Sequence, residues 1–377
     1  MKNRAYSSVL VPLCLLAINA CSEASAEDEA SASDSQSLRT RPGVGAIFTM
    51  SNAADGNSVL AFHRSADGTL EPAGEHTTGG LGSGASLNSQ GSVTLTEDGR
   101  FLLVVNAGSN EVSSFIVRGT QLILKSRVAS GGNLPTSVAT RNHLVYVLNA
   151  GPGSNINGYW LDLRGVLHDI PGSSRALSSD MPSAAQVAIA PAGLGVVVTE
   201  KATNLIDTFS LRPDGTLSGL ESHTSVGSVP YGFDISSQGI VVVSEAAAQA
   251  VSSYSLRPHA FETVSASVGD FQKAPCWLVI TRDGRFAYTA NAASSSISGY
   301  SLMRNGTLGL LDPGGVTASL GAGATPLDLA TDSQRHLYAM DAGNHAIDGF
   351  SITSTGALTP ATMVADLPTT AVGLAAY

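Results

Sequence analysis

Phe101-Leu-Leu-Val-Val-Asn106 is an apolar run that ends on a short polar residue, and six more runs in the chain share its form. They are Ala46-Ile-Phe-Thr-Met-Ser-Asn52, Leu144-Val-Tyr-Val-Leu-Asn149, Gly195-Val-Val-Val-Thr-Glu200, Ile240-Val-Val-Val-Ser-Glu245, Phe286-Ala-Tyr-Thr-Ala-Asn291 and His336-Leu-Tyr-Ala-Met-Asp341. From Asn52 to Asp341 the copies recur about every 48 residues, the spacing of propeller blades. Each is rich in Val, Ile, Tyr and Phe and too short for a helix, so each reads as a strand.

The neighbourhood of every copy repeats as well. A tight turn such as Ala107-Gly108-Ser109-Asn110 follows, then an alternating strand: Val112-Ser-Ser-Phe-Ile, Ile206-Asp-Thr-Phe-Ser-Leu or Val251-Ser-Ser-Tyr-Ser-Leu. Period-two alternation suits a strand covered unequally on its two faces. Asp67-Gly68, Asp214-Gly215 and Asn305-Gly306 then turn into an outer, more polar strand. Upstream of each copy lies an innermost strand, as in Ser92-Val-Thr-Leu-Thr, Gly232-Phe-Asp-Ile-Ser and Leu327-Asp-Leu-Ala-Thr, often entered through a proline (Pro135, Pro182, Pro230, Pro275, Pro326). Only the first copy lacks an inner strand. Val372-Gly-Leu-Ala-Ala-Tyr377 looks like an inner strand with no blade after it. The expected fold is therefore an all-β, seven-bladed propeller of four-stranded blades over 46–377, its ring closed by the C-terminal strand. A large β-sandwich also alternates short strands, but a common register over seven copies favours the ring.

Composition narrows the function. The 377 residues carry a net charge of −10, with only 13% charged residues. No basic stripe is present to neutralise phosphates, which disfavours nucleic acid. Residues 1–21 read as an export signal: Lys2 and Arg4 form a charged start and Val9 to Ala20 an apolar stretch too short for a committed membrane span. Ile18-Asn19-Ala20-Cys21 resembles a lipobox, which would lipidate Cys21; Ala24-Ser25-Ala26 offers ordinary signal cleavage instead. Residues 22–45, rich in Ser, Ala, Glu and Asp at their start, read as a disordered tether. The expected location is the periplasm or outer surface, lipid-anchored if Cys21 is modified and otherwise secreted. The only cysteine within the folded part is Cys276, so no internal disulfide is available. A monomer is expected.

In a propeller the turn after each repeated strand and the loop entering each inner strand share one face, around the mouth of the channel. Asn52, Asn106, Asn149, Glu200, Glu245, Asn291 and Asp341 are thus expected at one rim. For Asn and Asp the plain reading is turn formation. Glu has no such preference, so Glu200 and Glu245, in neighbouring blades, are candidates to face a shared space as acid and base, or to bind a divalent cation, although no metal-ligand spacing indicates one and no cofactor is expected. Lys201 could neutralise Glu200 or polarise a carbonyl. Gln90, Tyr231 and Trp277 are expected to line the mouth with Asn149, Asn291, Asp341 and His345. Tyr231 and Trp277 would either wall a pocket or pack between blades. Cys276 reads as a buried small residue. No Walker loop, dinucleotide fingerprint or nucleophile elbow is present.

Asn106-Ala-Gly-Ser-Asn110, Val198-Thr-Glu-Lys-Ala-Thr-Asn204, Val243-Ser-Glu-Ala246, Ala274-Pro-Cys-Trp-Leu-Val279 and Tyr288-Thr-Ala-Asn291 resemble the seven-bladed propeller lactonases, a family that includes 6-phosphogluconolactonases and carboxymuconate-lactonizing enzymes. The resemblance implies a small-molecule lactone as substrate. A phosphorylated sugar lactone calls for several Arg or Lys residues, and the expected mouth offers Lys201. No position matches the catalytic histidine and arginines of the lactonizing enzymes. The leading expectation is a hydrolase opening a small non-phosphorylated lactone, with Glu200 or Glu245 activating water and Lys201 or backbone N–H groups holding the oxyanion. Alternatives are a non-catalytic surface propeller that binds a ligand or protein, and a muconate-type isomerase.

Overall fold

The computed structural model describes residues 45–377, and these form seven antiparallel sheets arranged as blades. The export signal, Cys21 and the tether up to residue 44 lie outside the described residues. In blade 1 the second, third and fourth strands are Gly45–Met50, Ser58–Arg64 and Leu70–Thr77, and the innermost is Val372–Ala376. Ile47 faces Ala376, Phe48 faces Ala375 and Met50 faces Val372, so the chain's last strand completes its first blade. Blades 2 to 7 run in chain order from inner to outer strand. In blades 3 and 6 the outer strand is split in two: Arg175–Ala176 and Ala318–Ser319 pair with the third strand further along the edge held by Leu167–Asp169 and Leu308–Leu310.

The repeated runs are the second strands. Phe101–Asn106, Ile240–Glu245 and Phe286–Asn291 are buried along their whole length, because each sheet is covered on both faces by its neighbours. This explains why they lack alternation. The outer strands lie at the perimeter, where Gln121–Ala129 and Ala260–Gly269 are largely exposed. The glycines of the Asp-Gly and Asn-Gly turns take left-handed angles, with φ of 89° at Gly68 and 96° at Gly306, which a side chain would strain.

Polar side chains stitch the inner strands into a ring. Thr94 Oγ1 donates to the Val138 carbonyl, and Val187 N–H donates to Ser137 Oγ. Phe233 N–H donates to Gln186 Oε1, and Ile280 N–H to Asp234 Oδ2. Each crosses from one blade to the next and pairs a main-chain group that the neighbouring sheet leaves open.

The closure carries its own clasp. Arg64, 1% exposed, sits 3.1 Å from Asp332 of blade 7 and donates to the Tyr377 carbonyl. Asp332 also bonds His336 Nδ1 at 2.8 Å. Burial works to raise the Asp332 pKa, yet the His336 hydrogen bonds and the Arg64 charge hold it below the usual carboxylate range.

Candidate active site at the channel mouth

The seven polar residues that end the second strands are each at most 1% exposed, so they do not project into solvent at the rim. Glu200 accepts the Ser178 N–H at 3.1 Å and the hydroxyls of Ser178 and Thr203. Glu245 accepts the Gly227 N–H at 2.8 Å and the Ser267 hydroxyl at 2.6 Å. Ser178 and Gly227 belong to the loops that lead into the inner strands Ala184–Ile189 and Pro230–Ile235. Asp341 accepts the N–H of Thr325 at 2.8 Å, just before Pro326–Thr331. Asn149 donates to the Ser130 carbonyl and to Asn155, while Asn291 donates to Ser296 and Ser298. Most of these side chains therefore strap an entry loop to a blade. Glu200 and Glu245 share no hydrogen-bond partner, and each carboxylate is held within the structure of its own blade.

Glu200 has a different companion. Asp207 stands on the same face of the blade, two residues along from Leu205, the direct partner of Glu200. Burial and the Glu200 carboxylate push the Asp207 pKa up to about 8. Asp207 Oδ1 accepts the Ser222 hydroxyl, while its buried Oδ2 has no ordinary donor. The raised pKa keeps Asp207 protonated near neutrality, which makes it a donor beside the Glu200 carboxylate.

The mouth itself is crossed by the chain. Residues 79–91 leave the outer strand of blade 1 and run over the channel towards Val93–Leu95 of blade 2. Gln90, 6% exposed, donates from Nε2 to the Leu278 carbonyl and accepts the Leu278 N–H on Oε1, at 2.7 and 2.9 Å. Its own N–H donates to the Ala185 carbonyl at 3.1 Å, and the Gly91 carbonyl accepts from Val138. Trp277 Nε1 donates to the Ser89 carbonyl at 2.8 Å. One short segment thus bonds blades 3, 4 and 6. Gly232 lies so close that a Cβ there would meet Gln90 Oε1 at 2.1 Å.

Around this crossing several expected residues meet. Lys201 Nζ donates to the Asn88 carbonyl and lies 4.5 Å from the centre of the Tyr231 ring. Tyr231 in turn packs on Trp277, with ring centres 5.0 Å apart. Burial lowers the Lys201 pKa to about 8. Burial raises the Cys276 thiol to about 12, which leaves it protonated and inert near neutrality. An open recess of about 210 Å³ lies beside the segment, between residues 86–89 and Trp277, Leu327, Asp328, Val372 and Gly373.

Asp328 had no place among the expected site residues. It is 3% exposed, and burial raises its pKa to about 7 even though main-chain N–H groups of Leu329, Gly91 and Leu374 stabilise its charge. Its signal in the sequence is a lone charge inside the apolar inner strand Leu327-Asp-Leu-Ala. Gln90, Tyr231, Trp277 and Lys201 are brought together here. Glu200, Glu245, Asn149, Asn291, Asp341 and His345 line no part of the recess. His345 is half-buried in the turn after Asp341, with Nδ1 unpartnered among the described residues.

A family model described as "Lactonase, 7-bladed beta-propeller" matches residues 55–159. The chain resembles the seven-bladed propeller lactonases. Among solved structures, a periplasmic gluconolactonase of Pseudomonas aeruginosa is 16% identical with a TM-score of 0.69, covering 88% of this chain and 99% of its own. A candidate 6-phosphogluconolactonase of Bacteroides uniformis is 18% identical with a TM-score of 0.67, over 88% and 99% of the two chains. Virginiamycin B lyase of Staphylococcus aureus is also similar, at 11% identity and a TM-score of 0.53 over 73% and 84%. At these identities the likeness of this lactonase-like propeller to the solved structures is one of fold. No curated protein matches the chain.

Proposed function

We propose that this lactonase-like propeller hydrolyses a small, non-phosphorylated lactone in the recess beside the crossing segment. The observation that carries the reading is the meeting there of two groups tuned to neutral pH: Asp328, with a pKa of about 7, lines the recess, and Lys201, at about 8, stands at its edge through Asn88. The Asp328 carboxylate takes a proton from water as the water oxygen bonds to the lactone carbonyl carbon. The Lys201 ammonium receives the developing oxyanion. As the tetrahedral adduct collapses, the ring C–O bond breaks and the leaving oxygen recovers the proton from Asp328. Trp277 and Leu327 give the ring an apolar wall.

The lining itself contains no Arg or Lys, and Lys201 approaches it only from the edge beside Asn88, which supports a substrate without phosphate. Assigning the base to Asp328 moves that role away from Glu200 and Glu245, whose oxygens are engaged within their own blades. The test is a pH-stat assay of the full chain on a panel of aliphatic lactones, sugar lactones and phosphorylated sugar lactones. Turnover of non-phosphorylated members is expected, and a preference for phosphorylated ones would overturn the substrate class. Export, with a lipid at Cys21, is part of the same proposal. Metabolic labelling with palmitate reads it out, and Cys21→Ala should lose the label.

A second reading, a ligand-binding propeller without turnover, draws on the filling of the mouth by residues 79–91. Saturable binding of a lactone with no hydrolysis across the panel would favour it.

A further inference from the structure

We propose that a recess between blades 6 and 7, at the end of the ring opposite the mouth, binds a small organic carboxylate. It lies where the second strands Phe286–Asn291 and His336–Asp341 begin, the ends opposite Asn291 and Asp341. It is open to solvent and roomier than the recess at the mouth. Phe286 and Ile352 give it apolar walls.

Its charges are unevenly satisfied. Asp332 is taken up by Arg64 at 3.1 Å and His336 at 2.8 Å. Asp283 accepts the Thr281 hydroxyl at 2.6 Å and the Arg285 N–H at 3.1 Å, and meets Arg335 at 3.5 Å. Arg282, in the same lining, is exposed and has no hydrogen bond or ion pair within the described residues. The acids of the recess thus already have partners, while a guanidinium is left over. In a chain of net charge −10, an unanswered cation in a recess with apolar walls favours an anion. A planar guanidinium fork matches a carboxylate with two parallel hydrogen bonds. Arg335, also in the lining, meets Asp283 at 3.5 Å, so a single unengaged fork faces the recess, which suits a carboxylate better than a phosphate monoester. The ligand class is therefore a monocarboxylate with a flat or branched apolar body resting on Phe286 and Ile352. This site is independent of the mouth, so absence of lactone turnover leaves it standing.

Calorimetric titration of the full chain with benzoate tests it, with uncharged benzamide as the control. Benzoate should bind saturably and benzamide should not. Arg282→Met, at an exposed position, should keep the melting temperature and weaken benzoate by about 10-fold or more, the worth of one charge-assisted pair. Saturable binding absent at millimolar benzoate, equal binding of benzamide, or unchanged affinity in Arg282→Met would each overturn the proposal.

Discussion

Lys201 donates its ammonium proton to the main-chain carbonyl of Asn88, 113 residues earlier in the chain, and so ties the end of blade 4 to the segment over the channel mouth. The contact holds a cation beside the recess and over the face of Tyr231, where desolvation strengthens its pull on an oxyanion.

The pH dependence follows from the two tuned groups. Asp328 acts deprotonated, so kcat/KM should rise through about pH 7; Lys201 acts protonated, so it should fall above about pH 8. Lys201→Arg keeps the positive charge to far higher pH and should remove the alkaline limb while retaining part of the rate. An unchanged alkaline limb in that variant would assign it to another group.

Gln90 satisfies both main-chain groups of Leu278 at once. Gln90→Ala leaves them unpaired in a buried place and should cost about 1–3 kcal/mol in chemical denaturation. Because the crossing segment also positions Asn88, the same variant should raise KM more than it lowers stability-corrected kcat. A loss confined to stability would make the segment a structural plug alone.

The Glu200–Asp207 pair predicts an alkaline weakness. The folded chain holds a proton on Asp207 up to about pH 8, whereas the unfolded chain releases it near the ordinary aspartate value of 3.8. Its contribution is full below about pH 4 and is lost as the pH rises through about 8. Asp207→Asn cannot ionise and should flatten the decline of melting temperature between pH 5 and 9. A parallel decline in both proteins would mean that Asp207 does not hold this proton in the folded chain.

Arg64 reinforces the ring closure. Arg64→Met removes the ion-pair partner of the buried Asp332, leaving it the His336 and main-chain hydrogen bonds, and should cost about 3 kcal/mol. Adding Asp332→Asn should recover part of that loss, since the stranded charge goes with it. No recovery in the double variant would place the cost in packing instead.

The ring was legible because its evidence is repeated. Seven copies share one register, and Val372–Tyr377 had only one blade to complete. The site was less legible, for a related reason. Glu200 and Glu245 stand in a column filled in every blade, and the sequence does not show that their carboxylates are engaged by entry-loop N–H groups. Asp328 and the crossing segment each occur once. Residues 79–91 are Gly- and Ser-rich and show no periodicity, so only the folded chain shows Gln90 reaching Leu278, 188 residues away. That Lys201, Tyr231 and Trp277 are neighbours was legible, because the blade register alone places an aromatic pair and a lysine together.

Hydrolysis at the mouth, as proposed, depends on Asp328 as the base. Steady-state hydrolysis of the best non-phosphorylated lactone at pH 7.5 should be compared for the wild type and Asp328→Asn, an isosteric change that keeps the acceptor of the Leu329 N–H. A fall in kcat of about 100-fold or more, with the fold intact, is the expected result. Turnover within a few-fold of wild type would contradict it and return the search for the base to other groups.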